Sequence, residues 1–317
     1  VFSHHNLGQT LVSVGQHAQA LEFLRHAHEI LDADAMRVAA GGDALFGAAR
    51  GLGATPLLIM RRTTRYWMSK AESALGHFER ALTYAEANDR EMRDLGPASD
   101  ALTIIVTTLS VGIPRLARGE LDVATTILER ALAAARDAGL APYSAEAASH
   151  LGQAYALAGR HDEALALLTL PLESDFNQYQ LPGHSLHLSR LAEAYWRAGQ
   201  MVDAARTAAA ALEASRTRKE RGPEAATLRV IAEVAAVGTT SERRRAREQF
   251  AAAITLAERL GMDPLVAHGR LGLARLLHRD GHRSEARKNA LIALTLYRGM
   301  AMHRWVSDAA ALAGDRP

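Results

Sequence analysis

Four segments of the chain match when written one beneath another. They are LGQTLVSVGQHAQALEFLRHA from Leu7, LGQAYALAGRHDEALALLTLP from Leu151, LAEAYWRAGQMVDAARTAAAA from Leu191 and LARLLHRDGHRSEARKNALIA from Leu273. Each opens on Leu followed by Gly or Ala. Eight residues on comes a glycine, at Gly15, Gly159, Gly199 and Gly281, and then a small residue at Ala20, Ala164, Ala204 and Ala286. A further copy, VGIPRLARGELDVATTILERA, supplies Gly112, Gly119 and Ala124. Two looser copies centre on Ala74, Phe78 and Ala81, and on Ala246, Phe250 and Ala253. From Ala124 to Ala286 the marker alanines recur at 40, 40, 42 and 40 residues, whereas the steps Ala20 to Ala74 to Ala124 are 54 and 50. A repeat of this length is one supersecondary unit that cannot bury its apolar face alone.

The repeated residues specify a helix hairpin. The small residue after Leu lets two helices approach closely, and the later glycine ends the first helix by accepting a left-handed backbone. The marker alanine sits where the second helix crosses the first, where a large side chain would force them apart. Alanine and leucine, both good helix formers, fill the intervals. The chain therefore reads as all-α, a superhelical solenoid of about seven to eight hairpins with a period near 40 residues, the right-handed sense being what the family resemblance given below implies.

Helix pairs are expected near 3–16 and 18–31, 57–70 and 72–88, 103–118 and 121–137, 144–158 and 161–173, 184–198 and 201–217, 223–237 and 242–260, and 265–280 and 283–298. Residues 1–317 form one solenoid on this reading, with an irregular part at 1–102, regular repeats at 103–306 and a tail at 307–317. The stretch 35–60 is glycine-rich and reads as an insertion or as two short helices. The segments 92–100 and 173–184 read as connectors, the second carrying the turn signal Pro182–Gly183.

The pattern resembles the tetratricopeptide repeat (TPR). Its L-G-x-x-Y element stands intact at Leu151, Gly152 and Tyr155, and its A-x-x-x-F-x-x-A element at Phe78 and at Phe250. Most copies depart from it, with Leu11, Arg115 or Leu277 where Tyr belongs. The segments 183–233 and 256–306 are similar to a block in the C-terminal TPR region of large bacterial class III adenylate/guanylate cyclase–P-loop ATPase signalling proteins. The residues that carry this are Arg218-Lys219-Glu220-Arg221-Gly222 with Glu224-Ala225, Leu260-Gly261-Met262 with Leu265-Val266-Ala267-His268, and Tyr297-Arg298 with Met300. The resemblance implies a cytoplasmic sensor or scaffold arm whose partner is a protein or peptide, other domains of its own parent included. It carries over no cyclase or ATPase activity, since the glycine cluster Gly47–Gly53 lacks the lysine of a phosphate-binding loop.

Composition excludes several chemistries. With no cysteine there is no disulfide, thiolate metal site or cysteine nucleophile. Basic and acidic side chains number 37 and 35, so no net charge draws the chain to nucleic acid. No stretch of eighteen uncharged apolar residues offers a membrane span. The histidines lack H-E-x-x-H spacing, so no metal is expected, and many read as solvent-facing turn residues such as His161. Ser144 and Ser149 near His150 lack a nucleophile elbow, so no catalytic residue is assigned and no cofactor is expected.

The basic clusters Arg61-Arg62-Arg65, Arg216-Arg218-Lys219-Arg221, Arg243-Arg244-Arg245-Arg247 and Arg283-Arg287-Lys288 read mainly as solvated helix faces. An acidic partner is second to that, and nucleic acid third. The expected binding surface is the inner wall made by the first helix of each pair. By period it presents Gln153, Ser189, Glu193, Trp196, Arg197, Arg229, Glu233, Arg275, His278 and Arg279. Trp196 beside Arg197 is the pair most suited to a protein contact. Trp67 and Trp305 read as packing residues, and Met300, Met302 and Trp305 as a cap or an apolar edge. The sequence thus points to a non-catalytic interaction scaffold. The alternative is the TPR-like arm of a transcription regulator that binds protein, small ligand or nucleic acid.

Overall fold

The computed structural model describes residues 1–41, 54–96, 100–169 and 183–314. Residues 42–53 of the glycine-rich 35–60 stretch, and most of the 173–184 connector with its Pro182, lie outside these residues. Fifteen α-helices occur among the described residues. They are α1 (Phe2–Val14), α2 (His17–Ala39), α3 (Ala54–Leu75), α4 (Phe78–Leu95), α5 (Ala101–Arg118), α6 (Leu121–Asp137), α7 (Ala141–Leu157) and α8 (His161–Thr169). After them come α9 (His184–Arg197), α10 (Met201–Thr217), α11 (Arg221–Ala236), α12 (Thr240–Arg259), α13 (Asp263–Arg279), α14 (Arg283–Gly299) and α15 (Val306–Ala313). The first fourteen pack pairwise as seven TPR-like hairpins. The region read as a tail from residue 307 is instead mostly α15, which packs on α14 through the buried Ala309, Ala310 and Ala313.

The marker residues act as their size requires. Ala20, Ala124, Ala164, Ala204, Ala246 and Ala286 are all at most 1% exposed. Gly15, Gly159, Gly199 and Gly281 all have φ between 77° and 89°. The small residue near the start of each repeat is a seat for a larger one in the second helix. A Cβ at Gly8 would lie 2.5 Å from Leu24 Cγ, one at Gly112 2.9 Å from Leu128 Cδ2, and one at Gly152 2.6 Å from Leu168 Cγ. The seated leucine lies sixteen residues after its glycine in all three.

The second hairpin corrects the sequence reading. Its turn is at Gly76, with φ 88°, and not near residue 71. Ala74 therefore belongs to the first helix, and Ala81, fully buried five residues after the glycine, is the true marker. Ala81 lies 43 residues before Ala124, so the extra length falls between Ala20 and Ala81. At 92–100, α4 runs on to Leu95, and Asp100 caps α5 by accepting from the Thr103 N–H at 2.8 Å. The added residues before α12 end in a capping box of Thr239 and Glu242.

Helix α5 passes the length and apolarity test for a membrane span, which the sequence reading did not anticipate. Eleven of its residues are buried, and it packs against α3, α4, α6 and α7, so it is the core helix of the N-terminal half.

The solenoid closes on itself. Pairs one, two and three meet pairs six and seven and the C-terminal segment. At Gly15 a Cβ would lie 2.4 Å from Gly222 Cα, so two backbones touch where no side chain fits. At Gly76 it would lie 2.4 Å from Met300 Sδ, and at Gly119 2.7 Å from the Trp305 ring. Arg304 Nη2 donates to the Leu157 carbonyl at 2.6 Å. Met302 is fully buried. The C-terminal Met300–Trp305 segment is therefore a clasp across the earlier turns. Gly159, Gly199 and Gly281, the corresponding turns elsewhere, have open space beside them.

Replacing Gly152 by alanine should destabilise the chain by about 1–3 kcal/mol in urea unfolding, because the new Cβ drives Leu168 off its seat. The double variant Gly152→Ala/Leu168→Ala should lose less than the sum of the single losses. Additive losses would show that the seat is not the constraint.

Candidate functional site

Closure turns the inner wall into a central cavity of about 570 Å³. Its wall comes from the first helix of each pair, α1, α3, α5, α7, α9, α11 and α13, as the repeat pattern predicts. Gln153, Ser189, Glu193 and Arg229 line it, as expected. Trp196, Arg197, Glu233, Arg275, His278 and Arg279 do not. In α7, α9, α11 and α13 the lining comes from the N-terminal and middle turns, so the sequence choice on these four was displaced toward their C-terminal ends; α1, α3 and α5 line it with their C-terminal turns. Trp67, read as a packing residue, is on the cavity wall with the Lys70 ammonium 4.6 Å from its ring centre.

A chain of polar side chains crosses the wall from helix to helix. Lys70 of α3 donates to Glu146 of α7. Burial works against ionising Glu146, but Lys70 and Arg190 outweigh it and hold the carboxyl below its usual range. Arg190 of α9 donates from Nη1 to Ser149 Oγ at 2.9 Å, and its Nη2 lies 3.4 Å from His150 Nε2. Burial lowers the Arg190 pKa to about 10, which leaves it a cation at neutral pH. The Ser149–His150 pair thus faces a guanidinium. No serine–histidine hydrogen bond forms, so the arrangement is not a nucleophile and its base.

Glu193 joins α9 to α11. It accepts from Arg197 Nε at 3.0 Å and Nη2 at 2.7 Å on its own helix, and from Arg229 on the next. Burial opposes its ionisation, but the two guanidinium groups override that and hold the carboxyl far below the usual range. Glu233, buried nearby, keeps a raised pKa because desolvation exceeds the pull of Arg229. Trp196 is partly buried, with the Arg197 guanidinium 5.2 Å from its ring centre. Arg275 pairs with Asp308, Arg279 donates to the Ala236 carbonyl, and His278 is exposed.

Several histidines are interior groups and not turn residues. His5, His17, His150 and His187 are buried, and His268 is partly buried. His17 and His187 are lowered to about 4, chiefly by burial, and His268 to about 3 for the same reason. His187 Nε2 is hydrogen-bonded to the Leu168 carbonyl at 2.7 Å, and His268 Nδ1 to the Tyr297 hydroxyl at 2.8 Å. These rings are neutral at pH 7. Among the described residues no group of three histidine or carboxylate side chains is placed to hold a metal ion.

Of the basic clusters only Arg61-Arg62-Arg65 is taken into the fold and so departs from its reading as a solvated face; Arg216, Lys219, Arg221, Arg244, Arg245, Arg283, Arg287 and Lys288 are exposed, several with partners. Arg61, Arg62 and Arg65 converge on Glu91, and Arg61 and Arg65 also on Asp32. Arg62 and Arg65 are buried. Arg243 and Arg247 clamp Asp280 at 2.8 and 2.9 Å, and Arg216 and Arg221 hold Glu224. Arg287 donates to the Ala313 carbonyl. Sequence reasoning missed Lys70, Glu146, Arg190 and His268 as wall residues. Their signal was available, since Glu146, His150 and Gln153 recur at helical spacing on one face, as do Leu186, Arg190 and Glu193.

Comparison with known proteins agrees on the fold. Residues 105–170 match the family model described as "Tetratricopeptide repeat". No curated protein matches the chain in sequence. The solved structure of the apo form of RapI is similar over 98% of this chain and 79% of its own, with a TM-score of 0.52 and 13% identity. BtubC (BKLC) from P. vanneervenii covers 70% of this chain and 92% of its own, with a TM-score of 0.47 and 17% identity.

Two outcomes follow from the buried charges. Glu193→Ala strands Arg229 without its partner and should cost about 3–5 kcal/mol in urea unfolding. Glu193→Leu/Arg229→Met, which removes both charges, should cost far less. Stability should also fall as pH drops from 6.5 toward 4.5. His17, His150, His187 and His268 have folded pKa values below the ordinary 6.5, so the unfolded chain binds more protons there. Each contributes on the order of 1 kcal/mol per pH unit in that window. The raised carboxyls of Glu220 and Glu233 act the other way, with the histidines outnumbering them. Glu146 and Glu193 add their own loss only below their ordinary value of 4.5. A flat thermal midpoint between pH 6.5 and 4.5 would contradict this account.

Proposed function

We propose that this chain is a non-catalytic interaction arm, the regulatory TPR region of a multidomain bacterial signalling protein, working in the cytoplasm. The observation that carries this is the convergence of seven first helices, one from each hairpin, on a single interior surface. Such a surface collects side chains from across the whole solenoid, so a ligand held there touches every pair at once. Its state is then felt at both ends of the chain. The buried titratable groups serve hydrogen bonding and ion pairing across helices, and none pairs a nucleophile with a base. The similarity of 183–233 and 256–306 to the cyclase–ATPase block supports the signalling setting and leaves the effector domain open. The near balance of 37 basic and 35 acidic side chains, with Arg61, Arg62 and Arg65 held by Glu91, favours a protein, peptide or small ligand over nucleic acid.

The test is native mass spectrometry of the purified chain after incubation in lysate of its source cell, beside assays of ATP and GTP hydrolysis. The expected result is a stoichiometric adduct of protein, peptide or small molecule, with no nucleotide turnover. Sustained hydrolysis, or a tightly held nucleic-acid fragment, overturns the reading.

A further inference from the structure

The central cavity holds more positive charge than its own carboxylates answer. Lys70, Arg190 and Arg229 line it against Glu146 and Glu193. Lys70 is taken up by Glu146. Arg229 shares Glu193 with Arg197. Arg190 remains. Its two hydrogen-bond partners are a hydroxyl and an imidazole, and the imidazole is kept neutral by burial and by Arg190 itself. Among the described residues no carboxylate forms an ion pair with it. Elsewhere in the fold the buried guanidinium groups Arg62, Arg65 and Arg229 each meet a carboxylate. Arg190, half-buried, has no such partner, and it lines the cavity.

We propose that the central cavity binds a small organic carboxylate with an apolar body, and that Arg190 is its anchoring cation. This rests on the reading of the interior as a ligand surface. A guanidinium presents a planar fork of donors that matches a carboxylate and binds it with charge-assisted hydrogen bonds. Leaving such a group enclosed without a counter-charge is costly, and an incoming anion removes the cost. Apolar side chains also line the wall, among them Val12, Trp67, Ile113, Leu186 and Leu265. The volume of about 570 Å³ falls within the range of roughly 300–1,000 Å³ usual for small-ligand sites.

The same geometry excludes polyanions. Glu146 and Glu193 flank Arg190 closely enough to act on its charge, and both are ionised. A second or third negative charge on the ligand would meet these carboxylates with no spare cation between them. One charge is matched, so a monocarboxylate fits where a nucleotide or polyphosphate does not.

The experiment is calorimetric titration of the full chain at pH 7 with straight-chain and aryl-substituted monocarboxylates of about four to twelve carbons. The corresponding primary amides serve as neutral counterparts. At least one acid should saturate, and its amide should bind about tenfold more weakly or worse, the worth of one charge-assisted hydrogen bond. Arg190→Gln should abolish acid binding. Arg190→Lys, which keeps the charge, should restore it to within about tenfold and so separates a lost anchor from a lost fold. Without ligand, Arg190→Met should melt at the same temperature as the parent chain or higher, since it removes a partly desolvated charge that has no direct ion pair. No saturation by any acid overturns the proposal, as do equal binding of acid and amide or unchanged binding in Arg190→Gln. If the acids fail while the lysate experiment still yields a protein or peptide adduct, the interaction-arm reading stands and only this inference falls. If both fail, the interior is not a ligand surface.

Discussion

The fold depends on one close approach, the backbone contact between Gly15 and Gly222. A stack of helix hairpins has no intrinsic reason to return on itself, because each pair contacts only its neighbours. Here the first pair lies against the sixth. That separation is bridged only if neither chain carries a Cβ at the contact. Gly76 and Gly119 continue the seam, and the C-terminal clasp supplies the larger residues, Met300 and Trp305, that fill it. The asymmetry is telling. Glycines that end helices in the fourth, fifth and seventh pairs have room for a side chain but still carry the left-handed backbone. Backbone conformation explains all of these glycines, and closure explains only those of the first three pairs.

Closure changes what the interior must be. An open concave face is wetted by bulk solvent, and its charges need no partners. An enclosed one makes each polar group answer for its lost hydration. That is why Glu193 is held by two guanidinium groups and why the interior histidines are neutral. It is also why the wall is knitted by bonds between helices of different pairs. Lys70 of the second pair reaches Glu146 of the fourth, past the third, and Arg229 of the sixth reaches Glu193 of the fifth. These bonds constrain the relative placement of the hairpins more sharply than apolar contact does, because ion pairs have direction and alanine packing does not.

What was legible in the sequence was what repeats. The alanine at each helix crossing, the turn glycine and the leucine seated on a small residue recur because each hairpin solves the same packing problem. The alanine recurs in all seven copies, the left-handed turn glycine in six and the leucine seated on glycine in three. The second pair was misread by one register because Ala74, Phe78 and Ala81 contain two alanines that both satisfy the pattern, and only the turn at Gly76 decides between them. The seam and the cavity do not repeat. Gly15 looks like every other turn glycine until Gly222 is placed beside it. Arg62 and Arg65 look like a solvated cluster until Glu91 of the next helix is seen to face them. Contacts made once, between residues far apart in sequence, leave no period to read.

The same distinction separates the clasp from the cavity. Residues that hold the superhelix shut are satisfied by each other. Trp305 stacks with Tyr297 at 5.8 Å, Tyr297 is bonded to His268, and Arg304 is bonded to Leu157. His268 belongs to both sets, since its ring edges the cavity while its Nδ1 is tied to Tyr297. The packing of the C-terminal segment and the occupancy of the interior therefore meet at one imidazole. His268, Tyr297 and Trp305 are in mutual ring contact, and Trp305 rests against Gly119 of the third pair. In a closed superhelix the interior and the seam are two sides of one layer of helices, and here they share these three rings.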